Sequence, residues 1–137
     1  MNIKPLPKLD PTAVPGDLDL VVLFGSRARG RECSRSDWDL GVRIGPGSAA
    51  SPPDPLRLYR LDWELAAALG CSSDAMDVVD LDQASYLLQR VVAEDGQPLF
   101  ERQPGLFGSF CSRAIRQWAD WQRRQQKLAA ERSQVGA

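Results

Sequence analysis

The chain is predicted to fold as an α/β (α+β) domain, a small mixed sheet flanked by helices. Three observations carry that expectation. Short apolar, β-rich runs alternate with segments of helical periodicity, the pattern of a sheet interleaved with helices. One strand, DWDLGVRI at 37–44, places Asp37, Asp39, Gly41 and Arg43 on one face and Trp38, Leu40, Val42 and Ile44 on the other. At 137 residues, 43% of them aliphatic or aromatic, the chain suits a single core.

Each element has its own warrant. Residues 1–16 hold four prolines and a glycine and read as an extended or partly helical lead-in. LDLVVLF at 18–24 is a buried strand. It stops at Gly25-Ser26, and a helix of a turn or two follows, with Ser26 expected as its N-cap. After the second strand, GPGSAASPPDP at 45–55 is a surface loop by composition. Residues 56–69 form an amphipathic helix with Leu56, Tyr59, Trp63, Ala66 and Ala67 on its inward stripe, closed by Gly70. AMDVVDL at 75–81 is a third strand. A helix at 83–93 follows with Ala84, Leu87, Leu88, Val91 and Val92 along its stripe, and Gly96 with Pro98 ends it. From about 105 to 130 Phe107, Phe110, Ala114, Trp118 and Trp121 recur at helical intervals, as core or as a partner interface; beyond them the chain turns polar all round, which predicts a solvated or frayed end. The expected organisation is a lead-in at 1–16, a core at 17–101 and a helical segment at 102–137, within the same domain or as a partner-binding tail.

Composition narrows the chemistry. Seventeen basic and eighteen acidic residues leave a net charge of −1, so no overall field favours nucleic acid. There is no histidine, which removes the commonest general base and zinc ligand and leaves carboxylates to handle protons and metals. Cys33, Cys71 and Cys111 form no CxxC pair and read as small thiols of a reducing compartment. The N-terminus lacks a signal peptide's apolar run, and no stretch approaches the roughly 20 apolar residues of a membrane span, so a cytoplasmic location is expected. Neither GxGxxG nor GxxxxGK[ST] is present.

The segment that carries chemistry is LFGSRARGRECSRSDWDLGV, residues 23–42. Gly-Ser follows a strand directly, ten residues intervene, and Asp-x-Asp opens the next strand. Gly25 lets a phosphate approach the backbone. Ser26 offers a hydroxyl where unpaired helix N–H groups attract anions. Asp37 and Asp39 lie roughly 7 Å apart on one strand face and can share divalent ions. Carboxylates about 4 Å apart repel by about 4 kcal/mol at an effective dielectric of 20, a strain that Mg²⁺ turns into coordination. Four such positions coincide by chance in about one chain in a thousand of this length. Of Arg27, Arg29 and Arg31, Arg29 is the preferred phosphate contact, because guanidinium binds phosphate bidentately.

This stretch resembles the GSx10DxD signature of the minimal nucleotidyltransferases of the DNA polymerase β superfamily. Gly25, Ser26, Asp37 and Asp39 match it without a gap, FGSRARG and SDWDL match its flanks, and the likeness covers about residues 18–101. The resemblance implies the polymerase β-like fold, a triphosphate held by Gly-Ser, and Mg²⁺, two ions, bound by both aspartates and a third carboxylate. Asp77, Asp80 and Asp82 are the candidates for the third. Asp80 with Gln83 reads as a helix cap and Asp82 suits a first helical turn, while Asp77, in the strand, fits the resembled pattern and could also act as the base. The resemblance further implies transfer of AMP from ATP to a hydroxyl, most simply a tyrosine, of a HEPN-type toxin, the chain acting as antitoxin. Neutralisation by contact alone and transfer to a small molecule such as an aminoglycoside are the alternatives.

Overall fold

The computed structural model describes residues 8–30, 37–45 and 56–135. Arg31, Cys33 and residues 46–55 of the loop expected at 45–55 lie outside the described residues. The elements run β1 (Leu18–Phe24), α1 (Gly25–Ala28), β2 (Trp38–Ile44), α2 (Arg57–Leu69), β3 (Met76–Asp80), α3 (Tyr86–Asp95), β4 (Gln97–Glu101) and α4 (Leu106–Val135). They form a four-stranded mixed sheet in the order β3-β2-β1-β4, in which β1 is antiparallel to β2 and β4, and β2 is parallel to β3. Helix α2 makes the crossover that a parallel pair requires.

β1 is central and apolar on both sides, as its unbroken hydrophobic run dictates. Leu18, Val21 and Leu23 face a core completed by Leu40, Val42, Met76 and, from α2, Leu61 and Leu65. Leu20 and Val22 face a second core built by Leu81, Val92, Phe110 and Ala114. Each of these Leu and Val side chains contributes about 1.5–3 kcal/mol on burial. The lead-in joins the first core through Leu9 and Val14. Arg57 anchors α2 to the chain before β1, its Nε donating to Asp17 Oδ2 at 2.7 Å and its Nη2 to Oδ1 at 2.6 Å.

Several local expectations are corrected. β4 was not expected: Pro98 and its short length hide it, yet proline is tolerated at a sheet edge, and β4 is an edge strand. On α2 the buried stripe is Leu61, Leu65 and Ala66, with Leu58 packed beside it, whereas Leu56, Tyr59 and Trp63 are each more than 60% exposed. The leucines offer the same helical spacing as the aromatics, and they are the ones that share a core with residues of β1, β2 and β3. α3 begins later than expected. Leu81 N–H still donates to Val42 C=O at 2.9 Å, so the chain is tied to the sheet there, and Ser85, accepting from Leu88 N–H at 3.1 Å, is the cap. Asp80 instead closes a local turn by accepting from Asp82 N–H at 2.9 Å. On α3 Val92 is buried, but Leu87 is 54% exposed and Gln89 is inside, its amide donating to Leu81 C=O at 2.8 Å. α4 stays helical to Val135, well past the aromatic stripe.

Candidate active site

The site forms where β1 ends beside the start of β2. Phe24 pairs with Asp39 across the antiparallel ladder, and Asp39 pairs in register with Asp77 across the parallel one. Parallel partners share a face, and strand parity turns Trp38, Leu40, Met76 and Val78 to the α2 core. Asp39 and Asp77 therefore point to the opposite face. Helices α3 and α4 pack on that face over β1 and the Leu81 corner, and Asp77 is left exposed. Asp37, also exposed, immediately precedes β2.

Asp39 is the electrostatic centre. Its carboxyl is pushed above the usual carboxylate range, first by burial, then by the charges of Asp77 and Asp37 and by a hydrogen bond with Asp77, while Arg29 opposes the rise. Asp62, on α2, is a further acidic group at the edge of this cluster that the sequence analysis missed. Burial and then the charge of Asp77 raise its pKa. Its only signal was its position at the margin of the buried leucine stripe.

Gly25 has φ +76°, a left-handed conformation, and a Cβ on it would overlap the Asp39 carboxylate. The glycine is thus demanded by the aspartate packed against its backbone as well as by any incoming phosphate. Ser26 is half-buried and is the second residue of α1. The expected cap is corrected: Phe24 holds the N-cap position and no side chain caps the turn, so the Ser26 hydroxyl is not committed to the helix end. Arg29, just beyond α1, is exposed and lies 3.8 Å from Asp95 at the end of α3. Arg27 stacks on Trp38, its guanidinium 4.2 Å from the ring centroid, which clips α1 to the sheet.

The other two candidate carboxylates are engaged elsewhere. Asp80 lies one strand residue too far for the Asp77 face and accepts the turn N–H of Asp82. Asp82 forms ion pairs with Arg43 at 3.8 Å and Arg113 at 3.9 Å. Asp37, Asp39 and Asp77 carry oxygen donors of the hard kind that Mg²⁺ prefers. The Asp39–Asp77 contact already brings two of them together. Among the described residues no three acidic or thiol groups close around one point. The fit is one of chemistry: three carboxylates at neighbouring strand positions, Asp37 and Asp77 both exposed.

Comparison with known proteins identifies the family. The family model described as polymerase beta, nucleotidyltransferase matches residues 12–105. The protein adenylyltransferase MntA of Aphanizomenon flos-aquae is 33% identical over 100 residues, 72% of this chain and 67% of that protein. A crystal structure of a toxin–antitoxin with AMP-PNP superposes with a TM-score of 0.66 at 28% identity, covering 88% of this chain and 89% of the other. A solved complex of tri-AMPylated Shewanella oneidensis HEPN toxin with MNT antitoxin gives a TM-score of 0.60 at 26% identity, covering 88% and 86%. Among the described residues no helix is long and apolar enough to cross a membrane.

Proposed function

This chain belongs to the polymerase β nucleotidyltransferase family, and from that premise we propose that it is a protein adenylyltransferase that transfers AMP from ATP to a HEPN-type toxin and serves as its antitoxin. The observation that carries the reading is the stacking of Gly25, Asp39 and Asp77 at one corner of the sheet, a backbone that admits phosphate directly against two carboxylates.

Asp37, Asp39 and Asp77 would hold Mg²⁺, which supplies charge neutralisation at the triphosphate and lowers the cost of ionising the acceptor hydroxyl. The remaining roles fall to the chain itself. Gly25 lets the phosphates reach the backbone at the end of β1. Ser26 donates its hydroxyl to a phosphate oxygen. Arg29 leaves its loose pairing with Asp95 and grips a phosphate bidentately. The acceptor oxygen forms a bond to the α-phosphorus as the bond to the β-phosphate bridging oxygen breaks. Pyrophosphate leaves, and Asp77, exposed beside the site, takes the hydroxyl proton. A tyrosine suits this site because its pKa, near 10, is within reach of one carboxylate and a cation.

Label transfer from α-³²P ATP to the purified HEPN-type partner tests the reading. Label on the partner, dependent on added Mg²⁺ or Mn²⁺, is expected. Neutralisation of the toxin with no label under any condition would establish contact alone as the mode of action.

A further inference from the structure

Resting on the adenylyltransferase reading, we propose that the overhang of α4 beside the start of α3 is the surface that docks the toxin, gripping an apolar side chain set among carboxylates on the partner's helical surface.

α4 is 30 residues long, about 45 Å at the α-helical rise, and only its first half packs on the domain. Phe110 and Ala114 are buried and Phe107 packs beside them. The same side of the helix then carries Trp118 and Trp121 and, beyond the body of the domain, Leu128, which is 44% exposed. A helix face that is core at one end thus continues only partly covered at Trp118 and Trp121. A free helical end of this length is marginal in water and gains stability from packing.

Where the face leaves the domain, a cavity of about 580 Å³ opens between α4 and the start of α3, lined by Tyr86, Leu87, Gln89, Trp118 and Trp121 and by Asp82, whose charge is met by Arg43 and Arg113. Its aromatic floor is preformed: the two indoles stack at 5.1 Å and the Arg90 guanidinium sits 5.3 Å from the Trp118 ring. Leu87 and Ile115, both at least half exposed, extend the apolar surface around it. Rigid aromatics in a concave setting are the residues that dominate binding energy at protein interfaces.

Charge defines the rest of the partner. α4 carries six basic residues against Asp120 and Glu131, which leaves the remainder of the chain eleven basic and sixteen acidic. Arg123 pairs with Asp120, whereas Arg124, Lys127 and Arg132 are exposed and have no ion-pair partner among the described residues. The occupant is therefore acidic around an apolar anchor. A nucleic acid is less well matched, since the indole faces are spent on each other and the surrounding surface is aliphatic.

Affinity for the purified HEPN-type partner, measured alongside affinity for Mg²⁺-ATP, tests the proposal. Trp118→Ala with Trp121→Ala is expected to weaken the complex about 30-fold or more, the scale of losing a hot spot, with nucleotide affinity unchanged. Arg124→Glu with Lys127→Glu lies on exposed helix that supports no core, and it should weaken the complex in a salt-dependent way. Partner affinity equal to wild type in the charge-reversed chain overturns the proposal, as does an RNA oligonucleotide that binds the wild-type chain and is lost by both variants while partner binding persists. A wild-type chain that binds the partner through this surface yet transfers no AMP defeats the adenylyltransferase reading and leaves the docking surface standing.

Discussion

Replacing Asp39 with asparagine should stabilise the metal-free protein while destroying its chemistry. The folded protein holds the Asp39 carboxyl above its ordinary range through burial, Asp77 and Asp37. Such a group favours the fold when protonated. Its contribution is therefore full below the unfolded value of 3.8 and is lost as pH rises through the folded value. Two carboxylates about 4 Å apart cost about 4 kcal/mol at an effective dielectric of 20, and partial exposure with screening reduces this to about 1–2 kcal/mol. The asparagine side chain is neutral at every pH, so the gain at pH 7 should be about 3–7 °C in Tm for a domain of this size. Thermal melts in chelator at pH 7 and pH 3.5 measure it. The gain should be present at the first pH and absent at the second. Saturating Mg²⁺ and ATP should reverse the order, since only the wild type binds them tightly. A lower Tm for Asp39→Asn at pH 7 in chelator would refute the repulsion argument and make the aspartate a structural residue.

Ser26→Ala should leave Tm unchanged, because the hydroxyl caps nothing, and should slow AMP transfer by about 10²–10³-fold, the scale of one preorganised donor. Gly25→Ala and Gly30→Ala both impose a left-handed φ on alanine, at about 1–2 kcal/mol each. Only at Gly25 does the new methyl meet the Asp39 carboxylate, so label transfer should vanish there and survive at Gly30, where no described residue lies within 4 Å of the added methyl. Arg57→Ala should cost about 1.5–3 kcal/mol in denaturant melts by stranding a part-buried Asp17. The Arg57 guanidinium holds the Asp17 carboxyl below its usual range, so this contribution is full above pH 3.8 and should fade as pH falls through the folded value.

The site's ingredients were legible because their residue types are demanded locally. The apolar run of β1, the glycine at its end and the alternation of β2 each follow from one strand's geometry, and they set Asp39 beside Gly25. What stayed hidden depended on neighbours far along the chain. The Asp39–Asp77 pairing needs the parallel register of β2 and β3, which no single segment encodes. Gly41 is another such case: it looked like a neutral member of the charged face, yet a Cβ there would press within 2.6 Å of Leu81. The phase of α2 was ambiguous because leucines and aromatics share one spacing on opposite sides. Ser26 was misread as a cap because the left-handed Gly25 lets the turn begin one residue earlier. The aromatic stripe of α4 proved divided, with Phe110 buried and Trp118 and Trp121 half-exposed at the point where the helix leaves the domain.

Intact-mass spectrometry of the HEPN-type partner co-expressed with this chain tests the central claim most directly. The account predicts a partner heavier by about 329 Da per transferred AMP, mapped to a tyrosine, and no added mass when Asp39→Asn replaces the wild type. A partner of unmodified mass that is nonetheless silenced, equally by wild type and by Asp39→Asn, would contradict it.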